Sequence, residues 1–346
     1  MRRPFPLALL LSFCVSIAGL AQDGFSFREN VAAKKVEVLY NNKLLTAYCY
    51  FDSTEKPVLF PIKTLSGVTV TRGWPIAPRE GERTDHPHHV GLWFNYESVN
   101  GLDFWNNSSA IPADKKSQYG SIRHKRVVEK RIVGDQARLV TLSNWVNSTG
   151  EVLIEETTTF DFSVSGGTFI IDRKASLKAV AERVVFKDVK DGALGIRVAR
   201  SLELPSMQKD NFVDSHGKVT EVAQMNNEGV TGNYVNRENV QGDSTWGKRS
   251  DWTMLQGTKD GQPITIAIID HPRNIGYPTY WHARGYGLFA ANPFGQKIFS
   301  KGAHELNFEL AKDKPVTIRY RVLVHGGTTL DATSIDSFMK SFQQKF

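Results

Sequence analysis

Apolar and polar residues alternate along most of the chain beyond its first twenty positions, the period of a strand with one buried face. Clear runs occupy residues 35–39, 68–71 and 152–160, and others 168–172, 184–189, 195–204 and 264–270. Residues 126–133 and 137–145 alternate on either side of Gly134-Asp135, which predicts one long hairpin over residues 121–146. Residues 305–310 and 316–324 read as a second pair, turning at Lys312-Asp313-Lys314-Pro315. The period changes only near the end. There Ile335, Phe338, Met339 and Phe342 repeat at helical spacing behind the capping candidates Thr333 and Ser334, so an amphipathic helix is expected at about residues 333–345. Residues 205–255 are rich in Asn, Gly and Asp and carry the weakest pattern, as functional loops do. The expected fold is all-β: a large β-sandwich with one C-terminal amphipathic helix. No Pro-, Gly- or Ser-rich linker divides it, so residues 22–346 are expected to form a single domain.

The first residues break this pattern. Met1-Arg2-Arg3, an apolar run over residues 7–20 and the small residues Gly19 and Ala21 read as a secretory signal peptide, residues 1–21, cut before Gln22. The expected location is periplasmic or secreted. Cleavage would remove Cys14 and leave Cys49 as the one cysteine, so no internal disulfide is expected. Cys49 lies in the apolar run Tyr48-Cys49-Tyr50-Phe51 and reads as an inert buried thiol. Past residue 21 the charge is mildly basic, 41 Lys and Arg (43 less Arg2 and Arg3) against 36 acids, with the two signs interspersed. That dispersal, without any nucleic-acid-binding signature, argues against a nucleic-acid partner. No apolar run there is long enough to form a membrane span.

The densest chemistry is Asp85-His86-Pro87-His88-His89-Val90-Gly91-Leu92-Trp93, which holds three of the nine histidines. On an extended strand His86 and His88 would share a face and His89 would point away, so a divalent metal is one candidate ligand, with His271 or a nearby acid as third donor. Imidazole is equally the commonest proton-transfer group. A second polar, ring-rich stretch runs over residues 270–287 and contains Asp270, His271, Trp281, His282 and Arg284. Asp270 is a candidate for fixing the tautomer of His282. Asp85-His86-Pro87 and Asp270-His271-Pro272 echo each other, which suggests two walls of one pocket. Catalytic candidates are therefore His88, His89, His282 and Asp270, and the candidate metal set is His86, His88 and His271. Arg79, Asp103 and Arg284 are candidates for binding sugar oxygens, and Trp93, Trp105 and Trp281 for stacking on a sugar ring. No Gly-x-Ser-x-Gly elbow or phosphate loop is present, so serine-hydrolase and nucleotide-binding readings lack support.

The histidine stretch, Asn100-Gly101-Leu102-Asp103-Phe104-Trp105, Tyr280-Trp281-His282 and Asn292-Pro293-Phe294-Gly295 together resemble an exported bacterial family often labelled "methane oxygenase PmoA-like". The resemblance covers nearly the whole chain after residue 21. It implies a carbohydrate role by association, and the label implies a periplasmic copper or iron oxygenase. At fold level the chain resembles the galactose mutarotase type of supersandwich, which would place His88, His282 and a carboxylate over a curved sheet. The leading expectation is an exported enzyme acting on a sugar or glycan fragment by hydrolysis, elimination or epimerisation. The alternatives are a non-catalytic glycan-binding or envelope protein, and the oxygenase.

Overall fold

The computed structural model describes residues 24–224, 226–312 and 314–346. The segment read as a signal peptide lies outside them. Two antiparallel eight-stranded sheets face each other. The first runs, in spatial order, Phe25–Asn30, Lys35–Tyr40, Lys43–Cys49, Val58–Ile62, Leu92–Tyr96, Gly192–Arg197, Leu288–Asn292 and Tyr280–Arg284. The second runs Asn233–Asn236, Trp252–Lys259, Gln262–Asp270, Val316–Gly326, Thr168–Ala179, Val152–Ser165, Gln136–Val146 and Ser121–Val133. The long hairpin forms as the alternation predicts. Val133 pairs with Gln136 across the turn, where Gly134 adopts φ +60°, a conformation open to glycine at little cost.

Strand alternation sorts side chains between three apolar layers. From the first sheet, Leu92, Phe94, Leu194, Ile196, Trp281, Ala283 and Phe289 enter the core between the sheets. There they meet Trp145, Phe162, Ile171, Ile266, Val322 and Val324 from the second. The outer face of the second sheet is covered by the helix Ala332–Lys345, whose Ile335, Met339 and Phe342 pack on Ile170, Trp252, Ile269 and Leu323. Each such buried side chain contributes roughly 1.5–3 kcal/mol of hydrophobic stabilisation. The cap is Asp331, which accepts the Ser334 N–H at 2.8 Å, two residues before the expected Thr333. The outer face of the first sheet carries the third layer, including Cys49, Val58, Val90, Trp93, Trp105, Leu288 and Ala290. Cys49 is buried there, and burial pushes its thiol up to about 12, as befits an inert group.

Three local expectations give way to non-local pairing. Residues 68–71 make only single bridges, Lys63 with Thr69 and Thr71 with Val198, because the chain crosses from one neighbour to another within three residues. Phe308–Ala311 and Val316–Gly326 are strands but not a hairpin. The first pairs with Arg183–Phe186, while the second lies between Gln262–Asp270 and Thr168–Ala179. The Asp-His-Pro echo also separates. Asp85 precedes a strand of the first sheet, whereas Asp270 ends a strand of the second.

Candidate active site

The histidine stretch is a turn rather than a strand. His86 sits at φ +45°, and the His89 N–H closes back on the His86 carbonyl at 2.9 Å. A non-glycine residue in this left-handed region costs free energy and persists where its surroundings enforce it. Arg72 does so here. Its guanidinium donates to the carbonyls of Asp85 (2.8 Å), His86 (2.9 Å) and His89 (3.0 Å) and to Asp85 Oδ1 (2.8 Å). Because the segment turns, all three rings gather. His86 lies 4.8 Å from His89 and 5.6 Å from His88, and His88 lies 4.3 Å from His89. The expected separation of His89 from the other two is therefore corrected.

Behind the turn, charge is organised by Asp85. Its Oδ1 accepts from Arg197 Nη2 at 2.6 Å as well as from Arg72, and its Oδ2 accepts from His86 Nδ1 at 2.5 Å. Arg72 and Arg197 are 1% and 0% exposed, so this carboxylate is their main compensation. Burial alone would raise the Asp85 carboxyl, but Arg197, the His86 hydrogen bond and Arg72 outweigh it and hold it well below the usual carboxylate range. Arg197 Nη1 also donates to His89 Nδ1 at 3.3 Å, which leaves the His89 hydrogen on Nε2. Lys56 supports the turn from beneath, donating to the His88 carbonyl at 2.8 Å, and burial lowers it to about 7.

His282 reaches the same place from the edge strand Tyr280–Arg284. In Tyr280–Arg284, alternation sends Trp281 and Ala283 into the inter-sheet core and turns His282 and Arg284 to the outer face. A cavity of about 460 Å³ is lined by His88, His89, His282, Asp191, Arg284 and Tyr286, with Trp105 and Asn106 at its side. His282 Nδ1 stands 3.4 Å from Asp191 Oδ1 without an aligned hydrogen bond. Burial, reinforced by Lys190 and Arg284, lowers His282 to about 3, and burial together with neighbouring positive groups holds His88 and His89 well below the usual imidazole range. These three rings are thus neutral at neutral pH. Burial pushes Asp191 upward against the pull of Lys190. A second cavity of about 620 Å³ adjoins the first and shares His86, Arg284 and Tyr286 with it.

The structure brings together His86, His88, His89, His282, Trp105 and Arg284 from the residues expected at the site. It sends others elsewhere. Asp270 is fully buried in the second sheet, accepting N–H groups from His271, Asn274 and Thr279 at 2.7–2.9 Å, so it shapes its own corner and does not orient His282. His271 packs against Phe342 of the helix, 5.1 Å between ring centres, so His86, His88 and His271 do not converge on a metal. Among the described residues no group of three or more His, Cys, Asp or Glu side chains is placed to hold one. Trp281 is a core residue that donates to the Ser250 carbonyl. Arg79 is taken up by Glu82 and the Thr71 carbonyl. Asp103 binds the backbone and side-chain N–H groups of Asn106, and so positions a cavity residue. Trp93 is 2% exposed and lies under His89, 5.2 Å away and nearly parallel, so it supports the ring above it.

Arg72, Arg197 and Asp191 escaped the sequence reading. Arg197 did carry a signal, a lone charge in the apolar run Leu194-Gly195-Ile196-Arg197-Val198, since a buried arginine needs an acidic partner. Asp191, in Lys190-Asp191-Gly192, looks like any polar turn. Gly195 pairs directly with Trp93, and a Cβ there would lie 2.7 Å from the indole, so only glycine admits that ring beneath His89.

Residues 35–340 match the model of DUF6807, described as a family of unknown function. No curated protein matches by sequence. Among solved structures, the galactosidase domain of the α-galactosidase–sucrose kinase AgaSK aligns at 9% identity and TM-score 0.40, over 87% of this chain and 41% of that one. The α-galactosidase from Lactobacillus brevis aligns at 10% identity and TM-score 0.37, over 93% and 42%. A galactose mutarotase related enzyme from Lactobacillus acidophilus aligns at 9% identity and TM-score 0.29, over 88% and 98%. The chain spans about four-tenths of the length of the two α-galactosidase chains. With nearly its whole described length inside the family's boundaries, the chain belongs to DUF6807.

Proposed function

We propose that this protein is an enzyme acting on a carbohydrate, with proton transfer carried out by neutral histidines and a carboxylate in the cavity on the outer face of the first sheet. The observation that carries this reading is the convergence of His88, His89 and His282 with Asp191 on one cavity, although they come from distant parts of the chain. His88 Nε2, His89 Nε2 and His282 Nδ1 are buried and lack protein hydrogen-bond partners among the described residues. Buried polar atoms are ordinarily paired, so three unpaired ones on residues that line a single cavity leave hydrogen-bonding capacity suited to a ligand rich in hydroxyls. Tyr286 supplies ring surface, with the buried Trp105 packed at the cavity's side, and Arg284 and Asn106 supply further polar groups. Neutral His88 and His282 can accept a proton and Asp191 stands beside His282 to exchange it, while His89, its Nδ1 taken by Arg197, can only donate from Nε2.

The test is incubation of the purified protein with a panel of glycans, glycosides and oxidised sugar derivatives, with and without divalent metals, read by mass spectrometry and by product stereochemistry. Gain of water, loss of water, or inversion at unchanged mass would identify hydrolysis, elimination or epimerisation. His88→Ala and His282→Ala are expected to lose at least ~100-fold in turnover while keeping the folded circular-dichroism spectrum. Full activity in both variants would refute the assignment. A non-catalytic glycan-binding protein would instead bind without turnover and tolerate both changes.

A further inference from the structure

His86 differs from the other histidines of the site. Its side chain is 41% exposed, and it lies on the boundary that the two cavities share. Its ring stacks nearly parallel to His89, at 4.8 Å and 1°, and to Tyr286, at 5.1 Å and 3°. Nδ1 is committed to Asp85 Oδ2 at 2.5 Å, and a carboxylate can only accept, so Nδ1 carries the hydrogen. That leaves Nε2 as the nitrogen free to act. The left-handed backbone at His86, closed by His89 N–H and by Arg72, fixes where the ring stands. A left-handed backbone enforced from several sides, on an exposed imidazole paired with a partly buried carboxylate, suits a group positioned for chemistry.

The two cavities bear on the substrate. The inner one, about 460 Å³, and the outer one, about 620 Å³, each fall within the range of about 300–1,000 Å³ usual for a small-molecule site. The outer one is bordered by Trp246, Asp243 and Leu204 and meets the inner one at His86, Arg284 and Tyr286. Arg284 stands at this junction with its guanidinium 5.9 Å from the ring centres of both Trp246 and Tyr286. Its planar fork is thereby held where it can bind oxygen atoms on either side of the boundary.

We propose that Asp85 and His86 form a proton-transfer pair acting on the linkage of a two-part glycoside, one sugar unit occupying the inner cavity and the remainder of the molecule the outer one. This rests on the carbohydrate reading above and adds the bond and the acid. With Nε2 protonated, His86 gives that proton to the bridging oxygen as the carbon–oxygen bond breaks, and the bonding pair leaves with the oxygen. One water adds its oxygen to the carbon, and the proton it sheds returns to Nε2. The balance is one glycoside and one water to two hydroxyl compounds, with His86 regenerated and Asp85 ionised throughout.

The experiment uses two backbone-compatible variants. Glycine and asparagine both accept the left-handed conformation, so His86→Gly and His86→Asn remove the imidazole while keeping the turn. Both are expected to melt within a few degrees of the wild type and to lose at least ~100-fold in turnover of the glycosides found by the panel. Added imidazole is expected to restore part of the His86→Gly turnover, which a purely structural role would not allow. Diethyl pyrocarbonate, followed by peptide mass mapping, is expected to modify His86 before His88, His89 and His282. His86→Asn turnover within a few-fold of wild type, or modification of the buried histidines before His86, would overturn the proposal. Wild-type protein inert across the panel marks failure of the carbohydrate reading itself, and the order of histidine modification still tests the placement of His86 without turnover.

Discussion

Replacing Asp85 by Asn removes one charge and almost no volume, so its effect reports how far that carboxylate compensates two buried cations. Asp85 Oδ1 lies 2.6 Å from Arg197 Nη2 and 2.8 Å from Arg72 Nη1, and these arginines are 0% and 1% exposed. Burial and repulsion from Arg197 already lower Arg72 to about 9. Taking away one member of a buried ion pair costs about 3–5 kcal/mol, because the remaining charge is stranded out of water. At about 2 °C per kcal/mol for a chain of this length, the melting temperature is expected to fall by roughly 6–10 °C at pH 7. The pH dependence follows from the lowered folded-state pKa of Asp85. Its contribution is fully present above the unfolded value of about 4 and is lost as the pH falls toward the folded one. Urea unfolding of wild type and Asp85→Asn, followed by tryptophan fluorescence, should therefore show a gap that is constant at neutral pH and narrows below about pH 4. A gap under ~1 kcal/mol at pH 7, or one unchanged on acidification, would refute the view of Asp85 as the charge centre of the site.

Two further substitutions test how the site is supported. Gly195→Ala places a Cβ 2.7 Å from the Trp93 indole, which is enclosed by His89 and Trp105. Such overpacking is expected to cost about 1–3 kcal/mol, to alter the near-ultraviolet circular dichroism and to reduce turnover by displacing Trp93 from beneath His89, although residue 195 itself does not line the cavity; an unperturbed tryptophan spectrum would contradict it. Asp270→Ala removes the acceptor for three N–H groups at the 270–279 corner and is expected to destabilise by at least ~2 kcal/mol. Burial raises the Asp270 carboxyl to about 7, so its contribution is largest below about pH 4 and declines as the pH rises through 7, and the wild-type advantage in thermal melts should narrow in that direction. Turnover per folded molecule should be unaffected, since Asp270 lies outside the cavity; a loss of kcat at constant fold would return it to the catalytic set.

Local periodicity determined much of this protein. The alternation over residues 121–146 and 152–160, the helical spacing of Ile335, Met339 and Phe342, and the clustering of Asp85, His86, His88 and His89 are properties of neighbouring residues, and each survives in the structure. Sidedness and pairing are not local. The period-two pattern of Tyr280–Arg284 states that Trp281 and His282 face opposite ways, but only the packing of the two sheets decides that Trp281 takes the core and His282 the cavity. The same Asp-His-Pro triplet became a cavity-lining turn at Asp85 and a packing corner at Asp270. At the first, the buried Arg72 and Arg197 converge on the carboxylate, while at the second backbone and amide N–H groups satisfy it and the C-terminal helix covers the adjoining His271. Arg197 comes from a strand more than a hundred residues away from Asp85, and Asp191 from the turn just before that strand. Which charges meet in the low-dielectric interior depends on which strands pair, and that is settled by burial of both sheet faces at once rather than by any single segment.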